Sequence, residues 1–238
     1  MSTDDRRRSA LLAAAQATKG FLPRDEALAL VAAGRRAAAS GLGPLLEIGS
    51  YLGRSTLFLA AGIVGSDALL YSLDHHHGSE EMQAGWPDHD PSHLDPASGR
   101  LDTLGAWRRA VVAAGAEDLV VGLVGDSARV AAHWATPLSL VFIDGGHALA
   151  ACRADLAGFG PHLAGGGLLV FHDVFPEGVG GGEAPWRCYL EALASGEYAA
   201  EEESSCGSLR VLRRIGAKSA AVAPPASASA ARSAAAAE

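Results

Sequence analysis

The sequence predicts an α/β fold in which a doubly wound, parallel β-sheet is covered by helices on both faces. Unbroken apolar runs, which are typical of strands buried on both faces, alternate along the chain with segments of helical periodicity. No internal repeat is evident, and a length of 238 residues suits one large α/β domain. We therefore expect a single domain built around one sheet.

The individual elements follow from the apolar periodicity and from the residues that begin and end helices. A first helix is predicted over about residues 24–40, with acids in its first turn. Buried strands are predicted at Leu45–Gly49, Leu69–Asp74, Leu119–Val124, Leu138–Ile143 and Gly167–Phe171. Further helices are predicted at Arg54–Val64, Thr103–Gly115, Ser127–Trp134, Leu149–Gly160 and Ala184–Ser195. The segments of about 197–203 and 208–214 are expected to form a closing hairpin.

The two ends of the chain differ from this domain, which we place at residues 24–216. Residues 1–23 form an N-terminal segment that we expect to be a frayed start or a short helix rather than a signal peptide. Residues 217–238 are rich in Ala and Ser and have nothing to bury, so we expect them to be disordered.

Composition and charge narrow the class of partner. Hydrophobic residues make up 49% of the chain, enough for a sizeable core, and no stretch has the uninterrupted apolar length that a membrane span requires. The net charge of −8 disfavours a nucleic acid or an anionic membrane as the partner. The cysteines, Cys152, Cys188 and Cys206, form no CxxC pair and indicate reduced thiols. We expect a cytoplasmic protein with a small-molecule partner, and homo-oligomerisation is left open.

Residues 75–102 break every periodicity and are too long for an ordinary connection. Loops of this length inside a compact domain are usually functional or disordered, and the His, acidic and Trp content favours a functional lid. The loop begins with His75, His76 and His77. Adjacent residues rarely converge on one metal ion, so we expect loop or cofactor contacts, with His75 beside an adenosine.

Acidic residues follow the predicted strands. Glu47, Asp74, Asp126, Asp144 and Asp173 each lie at the carboxyl end of a strand. In an open parallel sheet these ends share one edge, where ligands bind. A single acid after a strand is ordinary loop polarity, but five in register favour a site at this edge.

The turn after the first strand predicts the type of cofactor. Gly49 and Gly53 stand between the strand and a helix, and Asp74 follows Gly53 by 21 residues, the spacing at which an acid meets a ribose diol. That spacing fits NAD and other adenosine cofactors equally. However, the G-x-G-x-x-G fingerprint is incomplete, and Glu47 would repel a pyrophosphate but suit an ammonium group. These features favour S-adenosylmethionine.

A second cluster comprises Asp144, His147, His172 and Asp173. Two carboxylates and an imidazole are enough to hold a divalent ion with positions open for a substrate oxygen. His147 follows a Gly-Gly turn, where a neutral imidazole can take a proton from a hydroxyl. A helix cap or a buried, hydrogen-bonded histidine is an equally good interpretation of either His alone. Asp126 and Ser127 similarly fit either adenine contacts or a helix cap.

These segments resemble a known family. LLEIGSYLGRSTLFLA, LLYSLD, VGDS, FIDGGH and FHDVF are similar to motifs of class I S-adenosylmethionine-dependent methyltransferases. The likeness is closest to the branch of macrolide-sugar O-methyltransferases and cephalosporin-hydroxylase-like proteins, and it covers about residues 40–214. The Asp-Gly-Gly-His segment is the most discriminating. The resemblance implies a Rossmann-like, mostly parallel, seven-stranded sheet with an antiparallel last strand.

The resemblance also implies roles for individual residues. It places Glu47, Gly49, Ser50 and Gly53 at the methionine end, Asp74 at the ribose, and Asp126 and Ser127 near the adenine. To this cofactor-binding set we add Ser55, His75 and Asp144. The resemblance makes Asp144 and Asp173 metal ligands, and the cluster described above adds His172 to the metal set. Relatives usually offer two adjacent carboxylates where this chain has His172-Asp173, so Mg or Mn, or no metal, remain alternatives. The catalytic residues are His147, as the general base, and Asp144.

The leading hypothesis is therefore O-methylation of a hydroxyl on a small molecule, such as a secondary metabolite or sugar. A nicotinamide-dependent oxidoreductase is the first alternative, disfavoured by Glu47 and the incomplete glycine fingerprint. The second alternative is a non-catalytic cofactor-binding protein on the same fold. The sequence does not identify the methyl acceptor.

Overall fold

The structure of the protein, a computed structural model, describes residues 1–86, 88–176 and 183–216. The expected disorder of residues 217–238 lies outside the described residues. The helices are α1 (Thr3–Ala17), α2 (Arg24–Ser40), α3 (Arg54–Ile63), α4 (Leu104–Ala113), α5 (Ser127–Ala131), α6 (Leu149–Phe159) and α7 (Glu183–Ala194). The strands are β1 (Leu45–Ile48), β2 (Leu70–Asp74), β3 (Val120–Val124), β4 (Leu138–Ile143), β5 (Leu163–Phe171), β6 (Tyr198–Ala200) and β7 (Arg210–Arg214).

One sheet of seven strands organises these elements, in the order β3-β2-β1-β4-β5-β7-β6. Strands β1 to β5 pair in parallel, whereas β7 is antiparallel to both of its neighbours. The predicted mostly parallel sheet with an antiparallel last strand is thus confirmed. Ile48 at the end of β1 pairs with Leu73 on one side and Ile143 on the other. The polar residues that follow these strands therefore emerge at one edge of the sheet.

The two faces of the sheet carry separate apolar clusters. Successive side chains of a strand point to opposite faces, so Leu45 packs in the cluster formed with α1 to α4, and Leu46 in the cluster formed with α6 and α7. Phe58 and Phe159 are fully buried representatives of the two clusters. Burying a side chain of this size stabilises the fold by about 1.5–3 kcal/mol. These clusters hold the strand ends in place.

Of the two forms expected for the N-terminal segment, the structure has the short helix. Helix α1 begins with a capping box. The Asp5 backbone N–H donates to the Ser2 hydroxyl, and the Ser2 backbone N–H donates to the Asp5 carboxylate, both at 3.0 Å. Leu11 is fully buried, and Arg8 donates to the carbonyl of Ala61 at the end of α3. The segment is therefore a packed helix rather than a frayed start.

Strand β5 begins at Leu163, four residues before its predicted start. Leu163 pairs with Leu138 and Leu168 pairs with Leu140, so β5 carries extra residues opposite a short stretch of β4. A run of glycines, Gly165 to Gly167, occupies this irregularity and interrupts the apolar pattern from which the strand was predicted. Among the described residues, no helix combines the length and apolar character needed to cross a membrane.

Candidate active site

A cavity of about 620 Å³ opens at the carboxyl edge of the parallel strands. Its walls come from the turn after β1, from the ends of β2 and β4, and from the residues that follow β3 and β5. Segment 19–22 and residues of the 75–102 loop also line it. The predicted site residues that line it are Gly49, Ser50, Ser55, Asp74, His75, Asp126, Ser127, Asp144, His147 and Asp173. Glu47, Gly53 and His172 are buried and are not among the lining residues.

The turn after β1 brings the backbone close to the end of β4. Gly49 has a φ of 87°, and a Cβ at this position would lie 2.2 Å from the carbonyl oxygen of Asp144. Only glycine fits there, because any side chain would separate the two strand ends. Gly53, with a φ of 96°, stands at the N-terminus of α3. The turn after β1 therefore packs its backbone directly against the end of β4.

Asp74 fixes this turn to the end of β2. One carboxylate oxygen accepts hydrogen bonds from the backbone N–H groups of Ser50 and Tyr51, both at 2.9 Å. The other accepts from the backbone N–H of His76 at 2.6 Å. Hydrogen bonds to a charged acceptor are stronger than neutral ones, so Asp74 holds the glycine turn and the start of the loop in register. Its side chain remains on the cavity wall.

Glu47 is in a different place from the one expected. The alternation of side chains along β1 directs it to the same face as Leu45, where it is 0% exposed under α3. Its Oε2 accepts hydrogen bonds from the hydroxyls of Thr56 at 2.5 Å and Ser72 at 2.8 Å. Burial raises the pKa of Glu47 to about 7. The carboxyl group ties β1 to α3 and β2 and does not face the cavity, so it does not line the methionine end as expected.

Asp144, His172 and Asp173 converge at the far side of the cavity. Each offers one ligand atom, and these atoms all lie within 4.8 Å of one another. The Nδ1 atom of His172 is 2.9 Å from a carboxylate oxygen of Asp144 and 3.3 Å from one of Asp173. Two carboxylates and one imidazole nitrogen are suitable ligands for a divalent transition metal. The donor set therefore fits the predicted metal site.

Glu26, in the first turn of α2, completes this cluster and was missed by the sequence reasoning. Its Oε2 lies 2.9 Å from Nε2 of His172, and the side chains are 7% and 2% exposed. Burial alone would lower the pKa of His172, but the carboxylates of Asp144, Asp173 and Glu26 outweigh it and raise the pKa to about 12. An acid at a helix start predicts only a favourable helix-dipole contact, so no local signal pointed to this role.

His147 faces the cavity between two carboxylates. Its Nε2 lies 3.1 Å from Oδ2 of Asp173, and its Nδ1 lies 3.4 Å from Oε1 of Glu81 in the 75–102 loop. The hydrogen bond with Asp173 raises the pKa of His147 against the opposing effect of burial. Burial raises the pKa of Asp173, but its contacts with His147 and His172 prevail and hold it well below the usual range. Glu81 was not singled out from the sequence.

The opposite end of the cavity is lined by the residues after β3. The Asp126 side chain accepts a hydrogen bond from the Arg129 backbone N–H at 3.0 Å, so it does cap α5 while also lining the cavity. The Ser127 hydroxyl donates to Asp155, which is 4% exposed and lines the cavity as well. Burial raises the pKa of Asp155 to about 6. Helix capping and ligand contact are thus compatible at this position.

The 75–102 loop and the connection between α1 and α2 also contribute residues to the cavity lining. Lys19 pairs with Asp90 at 2.6 Å, and the ring of Phe21 stacks on that of Tyr51 at 5.7 Å. Of the three adjacent histidines, His76 is buried against Thr103. His75 lines the cavity and its ring stacks on that of His77, which contacts the Leu101 carbonyl.

Comparison with known proteins identifies the class. Residues 46–174 match a family described as "Methyltransferase domain". Because this match covers more than half of the chain, the protein belongs to that methyltransferase family. The matched region extends from β1 to the residues just after β5 and includes the glycine turn, Asp74, the Asp144–His147 segment and Asp173.

Solved structures share the fold at low sequence identity. The cofactor-bound protein Rv0187 from MTB is 21% identical with a TM-score of 0.58, and the match covers 90% of this chain and 92% of that one. The O-methyltransferase NovP is 14% identical with a TM-score of 0.62, covering 90% and 98% of the two chains. The calicheamicin methyltransferase CalS11 is 15% identical with a TM-score of 0.59, covering 90% and 93%. These likenesses establish the class I methyltransferase fold that the motifs predicted.

Proposed function

We propose that this methyltransferase uses S-adenosylmethionine to methylate a hydroxyl group of a small molecule. The observation that carries the proposal is the position of His147. It shares one cavity with the glycine turn, and Asp173 holds its Nε2 at 3.1 Å. A base and a cofactor turn that line one cavity are what a direct transfer to oxygen requires.

The cofactor half of the site supports this choice of methyl donor. Gly49 and Ser50 of the turn after β1 line the cavity beside the end of β4. Asp74, Asp126 and Ser127 also line it, and we assign Asp74 to a ribose diol and Asp126 and Ser127 to an adenine edge. We assign Gly49, Ser50 and Ser55 to the methionine end on the same grounds.

The acceptor half supplies the chemistry. His147 would take the proton of the acceptor hydroxyl. S-adenosylmethionine, when bound, would supply the methyl group that this oxygen receives and would be released as S-adenosylhomocysteine. Asp173 orients the imidazole through its hydrogen bond to Nε2, which stabilises the imidazolium that results. Asp144 lines the cavity together with His147 and Asp173.

A divalent metal is a further part of the proposal. Asp144, Asp173 and Nδ1 of His172 would hold it, since their ligand atoms lie within 4.8 Å of one another. When bound, such an ion lowers the pKa of a hydroxyl that coordinates it. Because one donor is nitrogen, Mn²⁺ suits the set better than Mg²⁺.

Ligand binding followed by methyl transfer tests the proposal. We expect S-adenosylhomocysteine to raise the melting temperature and NAD to leave it unchanged. Isotope-labelled S-adenosylmethionine should then transfer its methyl group to one of a panel of sugars and secondary metabolites that carry hydroxyls. The panel is run with Mn²⁺, with Mg²⁺ and with excess EDTA. Stabilisation by NAD but not by S-adenosylhomocysteine would contradict the proposal.

A further inference from the structure

We propose that Glu26 is a positioning residue, which fixes the ring of His172 so that Nδ1 serves as a metal ligand beside Asp144 and Asp173. This inference rests on the proposed function, since it concerns the metal half of the same site. Glu26 is located on α2, far from the motif-bearing strands in sequence, and it does not contact the cavity itself.

The orientation of the Glu26 carboxylate is fixed by three hydrogen bonds. Oε1 accepts from the backbone N–H of Ser208 at 2.8 Å, and Oε2 accepts from the Ser208 hydroxyl at 2.9 Å. The third bond joins Oε2 to Nε2 of His172 at 2.9 Å. Glu26 and Ser208 are both only 5% exposed, so water does not compete for these bonds.

This arrangement determines which ring nitrogen faces the two aspartates. An ionised carboxylate can only accept hydrogen bonds, so Nε2 of His172 keeps the proton that it donates to Glu26. Nδ1 faces Asp144 and Asp173, at 2.9 and 3.3 Å, and an ion bound there would displace the proton that Nδ1 shares with them. A carboxylate behind a metal-binding imidazole selects the tautomer and increases the basicity of the ligating nitrogen. Glu26 occupies that position here.

The His172 ring is thereby held from two sides. An unanchored imidazole could turn Nδ1 away from Asp144 and Asp173. Glu26 prevents that rotation from the opposite side of the ring. The structure therefore points to a mixed nitrogen and oxygen site in which α2 sets the ligand geometry.

Binding of Mn²⁺, measured by calorimetry and by pulsed electron paramagnetic resonance, tests this inference without recourse to turnover. The wild-type protein should show ¹⁴N modulation from a directly bound imidazole. Glu26→Gln should weaken Mn²⁺ binding about 10- to 100-fold and reduce the ¹⁴N modulation, because the amide can donate to Nε2 and favour the other tautomer. Asp25→Asn is the matched control, since Asp25 is exposed in the same helical turn; we expect wild-type affinity.

A second variant covers the case in which Glu26→Gln does not fold. Ser208→Ala removes only the hydroxyl bond to Glu26 and should weaken Mn²⁺ binding by a smaller factor. If Glu26→Gln folds, unchanged Mn²⁺ affinity and ¹⁴N modulation in this variant would overturn the inference. If only Ser208→Ala folds, the same result in Ser208→Ala would do so. A wild-type protein that binds S-adenosylhomocysteine and transfers methyl groups in EDTA, but takes up no Mn²⁺, would overturn it while the proposed function stands.

Discussion

The Nε2 atom of His147 lies 3.1 Å from the carboxylate of Asp173. The same carboxylate oxygen is 3.3 Å from Nδ1 of His172. Asp173 thus joins the proposed base to the proposed metal cluster, and it does so from a left-handed backbone conformation with a φ of 54°. A non-glycine residue in this conformation is uncommon and is typical of active sites.

Removal of the imidazole at position 147 should affect chemistry and spare cofactor binding. His147→Ala is expected to lower kcat by about 10²- to 10⁴-fold, the usual contribution of a general base. The dissociation constant of S-adenosylhomocysteine should change less than threefold, because we place His147 beside the acceptor rather than the cofactor. Single-turnover kinetics and calorimetry measure the two effects. His133→Ala, an exposed histidine outside the cavity wall, is the control. Equal turnover in both variants would refute the assignment.

Asp74→Asn should weaken the cofactor complex. The substitution removes the negative charge of the carboxylate that accepts hydrogen bonds from the backbone N–H groups of Ser50 and Tyr51. Hydrogen bonds to a charged group contribute about 1.5–3 kcal/mol each, so S-adenosylhomocysteine should bind at least tenfold more weakly. Calorimetric titration measures the change. Asp67→Asn, at an exposed position just before β2, should bind as the wild type does. An affinity within twofold of wild type for Asp74→Asn would argue against the ribose assignment.

Gly49→Ala should lower the free energy of unfolding by more than the conformational strain of a left-handed alanine. Gly41 is the control, because its φ is 65° and a methyl group placed there would meet no atom within 4 Å. At Gly49 the methyl group would lie 2.2 Å from the Asp144 carbonyl oxygen. We expect Gly41→Ala to lower the free energy of unfolding by about 1–2 kcal/mol and Gly49→Ala by about 3 kcal/mol or more. Urea unfolding measures both. Similar losses in the two variants would mean that the strand ends separate without cost.

Glu47→Gln should make stability less dependent on pH. The pKa of Glu47 is raised from 4.5 to about 7 by burial, so its neutral form stabilises the fold fully below pH 4.5 and this contribution is lost as pH rises through 7. Thr56 and Ser72 donate to the carboxylate, and Asp144 is the charged group that adds to the shift. The shift corresponds to about 3 kcal/mol of differential stability.

The variant should therefore gain stability relative to the wild type between pH 5 and pH 8, by about 2–3 kcal/mol. Urea unfolding of both proteins at the two pH values gives this difference directly. Affinity for S-adenosylhomocysteine should stay within threefold, because the side chain does not reach the cavity. A parallel pH dependence in the two proteins would show that the Glu47 carboxyl is solvated rather than buried.

Much of the site could be predicted from the sequence because parallel strands end at a common edge. Asp144 and Asp173, which follow β4 and β5, are brought together in this way, and His147 follows from its position three residues after Asp144. The strand ends also explain why Asp74 meets the turn after β1. Local periodicity and the register of a parallel sheet contain this information.

Other features depend on tertiary contacts that leave no local trace. Glu26 and His172 are separated by 146 residues, and only the packing of α2 against the end of β5 joins them. The position expected for Glu47 was wrong for a different reason. A strand buried on both faces has no alternation of polar and apolar residues, so the pattern along β1 does not reveal which face its single acid takes. The helical state of residues 3–17 likewise depends on packing against α3.

The loop of residues 75–102 contributes little to the folded core. Among its described residues, only His76 and Leu101 are buried, and many of its hydrogen bonds are internal, such as those from Gln83 to the His77 carbonyl and from Ser98 to Asp95. Substitutions in this loop are therefore expected to cost the fold little stability. The segment that brings Glu81 to His147 can vary while the sheet that carries the rest of the site stays intact.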